Sequence, residues 1–138
     1  SAMVALGAAV DESGLDKSLT ELVKLRVSQL NGCAFCVQFH LNLLRRLGVD
    51  PVKIDLVAVW REAGVHDARE RAALGWAEQL TAMAAQPLPD DAWAVLRTQF
   101  SEDEAAFLTV SVATIQAWNR IAGGLRFAPP VPRGARAG

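Results

Sequence analysis

Apolar residues along this chain recur at three- and four-residue spacings, and the breaks between runs carry helix-terminating chemistry. Ser18-Leu-Thr-Glu21 reads as a capping box, followed by Leu22, Val23, Leu25 and Leu30 as an apolar helical face. Asn31-Gly32 interrupts it, and a second helix is expected from about Cys33 to Leu47, stopping at Gly48. Asp50-Pro51 places a capping residue before proline at the first helical position, so a helix restarts there. It carries Ile54, Leu56, Val57 and Trp60 and ends near Gly64. Asp67 to Glu70 is another capping box, opening a helix through Ala72, Leu74, Trp76, Leu80 and Met83. Pro87 and Pro89 break that run, and Asp90 or Asp91 caps a short segment with Trp93 and Leu96. Ser101 to Glu104 opens the last long helix, which carries Phe107, Leu108, Val110, Val112, Ile115 and Trp118 as far as Gly123-Gly124. No stretch alternates with the period of two that a half-buried strand requires. The pattern predicts an all-α fold.

Length and composition narrow the class. At 138 residues with 51% hydrophobic and 21% charged residues, the chain reads as one globular domain, residues 1–128, rather than a disordered one. From Pro129 the tail PPVPRGARAG lacks large apolar residues and is expected to be disordered unless a partner holds it. A net charge of −1 without a basic patch argues against nucleic acid as a partner. No apolar run approaches the roughly 20 residues needed to cross a bilayer, so no membrane association is expected. The first residues lack a basic region and carry Asp11, Glu12 and Asp16, unlike a signal peptide. Two closely spaced cysteines in such a chain point to the cytoplasm and to catalytic or metal-binding use rather than a structural staple. Four tryptophans on apolar helical stripes, Trp60, Trp76, Trp93 and Trp118, read by default as core or subunit interface. Together with the apolar content they predict a homo-oligomer.

The chemistry concentrates in NGCAFCVQFHLNLLRR, Asn31 to Arg46. If this segment is helical, Cys33, Cys36 and His40, three and four residues apart, share one stripe. Two thiols and an imidazole on one face can carry redox chemistry, the imidazole taking a proton, one thiolate attacking and the other closing a disulfide. Bland readings compete. A buried cysteine behaves as a small hydrophobe beside Phe35, Val37, Leu41 and Leu44. Zinc is disfavoured, because Cys33, Cys36 and His40 with Glu21 form a poor match to the usual ligand sets; neither a metal nor a cofactor is expected. Which thiol attacks stays open. The helix N-terminus favours Cys33 as thiolate, whereas His40 one turn on favours Cys36. Glu21 fits a purely structural role at the third position of its capping box. His66 carries no assigned role. Asn119-Arg120 is expected to pair with an acidic group such as Glu70 or Glu78, or to face a neighbouring subunit.

ELVKLRVSQLNGCAFCVQFH resembles the signature of the AhpD-like alkylhydroperoxidases, within the wider carboxymuconolactone decarboxylase family. That signature is a glutamate, eleven residues, then C-x-x-C-x-x-x-H, often with a glycine eight residues on; Glu21, Cys33, Cys36, His40 and Gly48 fit every element. VAVWREA, ERAALGWAEQLT and AWNRIA also look like this family, so the resemblance runs from about Leu15 to Phe127. It implies an AhpD-like helical bundle that associates into trimers or hexamers and reduces organic hydroperoxides through its thiol pair. It implies further that Cys36 is the peroxidatic thiol, Cys33 the resolving one, and His40 with Glu21 the proton relay. The implied partners are a peroxide substrate and a dithiol reductant such as a lipoylated protein. Relatives carry more residues before the first shared helix, so the pocket wall there is expected to differ. Two other readings stand beside this one: lactone decarboxylation, which has no need of two thiols, and a redox-sensing or scaffold protein whose disulfide switches assembly.

Overall fold

A computed structural model describes residues 1–133. Its helices are α1 (Ala2–Glu12), α2 (Lys17–Asn31), α3 (Ala34–Arg46), α4 (Pro51–Asp55), α5 (Trp60–Ala63), α6 (Ala68–Thr81), α7 (Ala92–Arg97) and α8 (Glu102–Gly124), with a 3₁₀ turn at Val57–Val59 between α4 and α5. No strand occurs among the described residues, and the all-α expectation holds.

The bundle is organised around α2, which packs against α3, α6 and α8. Its Leu22, Val23, Leu25 and Val27 are essentially unexposed, each contributing about 1.5–3 kcal/mol on burial. They meet Leu44 of α3, Ala73, Leu74 and Ala77 of α6, and Leu108, Val112 and Ile115 of α8 in one core. A polar clamp adds direction to this contact. Asn119, buried in α8, donates to Ser28 Oγ (3.1 Å) and accepts from Asn31 Nδ2 (2.9 Å), both on α2. The expected pairing of Asn119-Arg120 with Glu70 or Glu78 is therefore not formed: Arg120 bonds back to Gln116 one turn earlier. Glu78 is taken instead by Arg26, Arg61 and the Trp60 indole N–H.

Three local readings are corrected. First, α2 starts one residue before Ser18, because the Asp16 carboxylate caps it by accepting from the Ser18 N–H (3.0 Å). Glu21 consequently sits a full turn inside the helix and has no capping duty. Second, the expected helix from Pro51 to Gly64 is broken into α4, the 3₁₀ turn and α5. Its buried residues Ile54, Val57 and Trp60 recur every three positions, the period of a 3₁₀ helix rather than of an α-helix. Third, α1 has no counterpart in the pattern reading, because of its residues only Val10 is buried and the run VALGAAV has little periodicity. The capping boxes at Asp67–Glu70 and Ser101–Glu104 both form as expected.

After α8 the chain turns back toward α3. Pro129 to Val131 are half-buried, and Asn42 Nδ2 donates to the Pro130 carbonyl (3.0 Å). Of the tail expected to be disordered, residues 134–138 lie outside the described residues.

Candidate active site

The turn between α2 and α3 sets the thiols. Gly32 adopts a left-handed backbone (φ +67°) to end α2, a conformation that penalises any residue with a Cβ. That reversal leaves Cys33 extended as the N-cap of α3, just outside the helix rather than on its stripe, with its Sγ accepting from the Cys36 N–H (3.2 Å). Cys36 is the third helical residue. The two sulfurs are bonded, with Cα atoms 5.3 Å apart. Cys33 thus sits at the positive end of α3 and faces an N–H.

His40 follows Cys36 by one turn on the same helix and is buried. Across the α2–α3 interface its Nδ1 lies 2.5 Å from Glu21 Oε2. A carboxylate only accepts, so the ring donates from Nδ1, which in a neutral ring leaves the lone pair on Nε2. Glu21 is 1% exposed, and its other oxygen is held by Lys24 (3.2 Å) and Lys17 (3.3 Å); Lys17 also reaches Asp11 of α1 (3.1 Å). Burial pushes the Glu21 carboxyl up, but the His40 hydrogen bond and the two ammonium groups outweigh it, lowering the pKa to about 2. Glu21 is thus ionised throughout the neutral range.

A group depressed in this way stabilises the fold fully above its ordinary pKa of 4.5 and loses that contribution as pH falls toward 2. The shift corresponds to on the order of 3 kcal/mol. Urea unfolding is therefore expected to show a clear loss of stability between pH 5 and pH 3 (about the upper part of this window), much reduced in Glu21→Gln. An equally steep loss in the variant would contradict the assignment.

Cys36, His40, Glu21, Lys17 and Lys24 line a cavity of about 570 Å³; Cys33 does not line it. The remaining wall is largely apolar, with Phe35, Phe39 and Leu43 of α3, Ile115 and Trp118 of α8, and Met3 and Val4 of α1. All four residues singled out from the sequence are thus brought together: Cys33, Cys36, His40 and Glu21. Lys17 and Lys24 were missed, although their positions four before and three after Glu21 put them on its helix face. The α1 wall was missed with α1 itself. Trp118, assigned by default to core or interface, faces this cavity. His66 is buried elsewhere, with Nε2 bonded to the Lys53 carbonyl (2.9 Å). Among the described residues no group of three or more His, Cys, Asp or Glu is arranged to hold a metal ion.

Residues 1–79, more than half of the chain and including all four residues, match the sequence pattern of the carboxymuconolactone decarboxylase family. The chain belongs to that family. It is 33% identical over 110 residues to the uncharacterized protein YdfG of Bacillus subtilis, covering 80% of this chain and 75% of that one. A shorter match, 46% identical over 41 residues, is to the alkyl hydroperoxide reductase AhpD of Rhodococcus erythropolis, spanning 30% of this chain and 23% of that one. In three dimensions the chain superposes on a protein of unknown function from Agrobacterium tumefaciens, provisionally described as an AhpD antioxidant defence protein. The TM-score is 0.90 at 44% identity, covering 95% of this chain and 90% of the other. Within the carboxymuconolactone decarboxylase family this chain is therefore AhpD-like in sequence and in fold.

Proposed function

We propose that this chain is a thiol peroxidase that reduces organic hydroperoxides through a Cys33–Cys36 dithiol/disulfide cycle. The observation that carries the reading is the joining of Cys33 to Cys36, which lines a largely apolar cavity beside a Glu21-bound His40. In the reduced chain, His40 Nε2 takes the Cys36 proton, and Glu21 stabilises the imidazolium so formed. The thiolate attacks the terminal peroxide oxygen, and the O–O bond breaks. The departing alkoxide takes the proton from His40 and leaves as alcohol, while Cys36 becomes a sulfenic acid. Cys33 loses its proton and, as thiolate, attacks the Cys36 sulfur; the S–O bond breaks, the departing hydroxide takes up one proton and leaves as water, and the disulfide closes. An external dithiol then returns two electrons and two protons. We assign attack to Cys36 because it lines the cavity and Cys33 does not. The N-terminal position of Cys33 suits it to attack the sulfenic acid and to depart as thiolate on reduction.

Incubation with cumene hydroperoxide and dihydrolipoamide tests the reading. Equal amounts of peroxide consumed and alcohol formed, over many turnovers, are expected; no consumption above the thiol-only background contradicts it. Lactone decarboxylation is the second reading, favoured by the family's name, and ultraviolet loss of a muconolactone unaffected by thiol blocking would favour it over the first.

The assembly proposed with this function is a homo-oligomer, trimer or hexamer, acting on the reductant as a soluble partner. Among exposed apolar side chains, Val4, Val59, Met83, Val95 and Leu125 are each more than half exposed. No helix among the described residues is long and apolar enough to cross a membrane. Light scattering at micromolar concentration is expected to give a mass well above that of one chain; a monomer would refute the assembly.

A further inference from the structure

Phe127, in the segment after α8, lines the cavity. Arg126 takes a left-handed backbone (φ +58°), a conformation that helix ends usually reserve for glycine, and the Phe127 N–H reaches back to the Ala122 carbonyl (2.9 Å). The reversal brings the Phe127 ring edge-on to Phe35, with centroids 5.3 Å apart and planes at 81°. Three residues on, the Pro130 carbonyl is held by Asn42 Nδ2 (3.0 Å), whose own amide oxygen accepts from Gln38 Nε2 (2.9 Å). The strap is thus fastened to α3, the helix that carries Cys36 and His40. Phe35 stacks on Phe39 (5.9 Å), and Phe39 lies edge-on to His40 (5.2 Å). An aromatic wall therefore runs from the strap to the base.

We propose that Phe127 is a specificity-determining residue, completing this wall so that the cavity takes the apolar body of a bulky hydroperoxide while its O–O group lies at Cys36. The inference rests on the thiol-peroxidase reading. The cavity volume of about 570 Å³ far exceeds the need of hydrogen peroxide, a molecule not much larger than a water, whose share of the liquid is about 30 Å³. The excess space is walled mostly by aromatic and aliphatic side chains, which reward an apolar substituent.

The test is the ratio of kcat/KM for cumene hydroperoxide to that for hydrogen peroxide, with dihydrolipoamide as reductant. Phe127→Ala is expected to lower the ratio about tenfold, the low end of what a hydrophobic pocket contact contributes, chiefly through KM for the bulky substrate. Phe127→Leu should restore part of it, and Asn42→Ala, which unfastens the strap without touching the cavity lining, should lower it in part. A ratio that is unchanged or rises in Phe127→Ala overturns the proposal. A second readout needs no peroxide chemistry: in the reduced Cys33→Ser chain, Cys36 is alkylated by N-benzylmaleimide and by N-methylmaleimide. Phe127→Ala should lower the benzyl-to-methyl rate ratio. If that ratio falls while the wild type reduces neither peroxide, the peroxidase reading fails and the aromatic subsite stands. If the wild type reduces both peroxides and neither ratio moves, the subsite fails alone.

Discussion

Cys36→Ser is expected to lose all catalysed peroxide reduction, whereas Cys33→Ser reacts once and stops. The asymmetry follows from position. Cys36 lines the cavity on the turn before His40 and Cys33 does not, so its replacement removes the thiol that faces the proposed substrate. A serine hydroxyl at that site is far too weak an acid to supply an anion near neutral pH, even with a base beside it. Cys33 caps α3 outside the cavity, so its replacement leaves attack intact and removes the partner that would expel water from the sulfenic acid. Rapid-quench kinetics should then show one equivalent of alcohol and a single added oxygen on Cys36. Neither substitution is expected to destabilise the reduced fold greatly, since serine is close in size and also caps helices. Sustained turnover by Cys36→Ser would remove the assignment of the attacking thiol.

The second large effect is expected at Glu21. Its carboxylate joins four elements of the site: the His40 ring, Lys24, Lys17 and, through Lys17, Asp11 of α1. Glu21→Gln keeps the volume and removes the charge. The imidazolium formed during thiol deprotonation then lacks its counter-ion, and the amide no longer compels the Nδ1–H tautomer. We expect kcat to fall on the order of 10²-fold, the scale of general base catalysis. Stability should fall by about 3 kcal/mol, the low end for breaking a buried ion pair because Lys17 remains partly solvated. Glu21→Asp should recover part of the stability but less of the rate, since the shorter arm does not reach His40 at hydrogen-bonding distance. An undiminished kcat in Glu21→Gln would make the residue structural only.

Much of this site is legible in the linear order of residues because it is built from two helices joined by a tight turn. Once Gly32 reverses the chain, the E-x₁₁-C spacing lays Glu21 against the helix that carries Cys36 and His40. The i,i+3 and i,i+4 rules place the rest. The capping reading of Glu21 failed for a local reason: Ser18 and Asp16 are both competent caps, and only the packing of α2 chooses between them. Lys17 and Lys24 look like ordinary surface charges in the sequence, and only the burial of Glu21 gives them their task. Features that depend on distant segments were not legible. The α1 wall has almost no periodic signal, since one residue of it is buried. The placement of Phe127 depends on a left-handed arginine and on Asn42 holding a carbonyl 88 residues away, which no local pattern encodes. The 3₁₀ turn at Val57–Val59 shows the same limit at smaller scale, because a three-residue apolar spacing sits inside what otherwise reads as a continuous helix.

The most direct measurement is intact mass and free-thiol count on the reduced chain after stopped-flow addition of limiting cumene hydroperoxide. The account predicts loss of both thiols together, at a rate set by peroxide concentration, with a mass matching an intramolecular Cys33–Cys36 disulfide and one alcohol per peroxide. Thiols that stay reduced under excess peroxide would contradict it, leaving the bonded pair without a part in peroxide reduction and placing decarboxylation or a redox-switched assembly ahead.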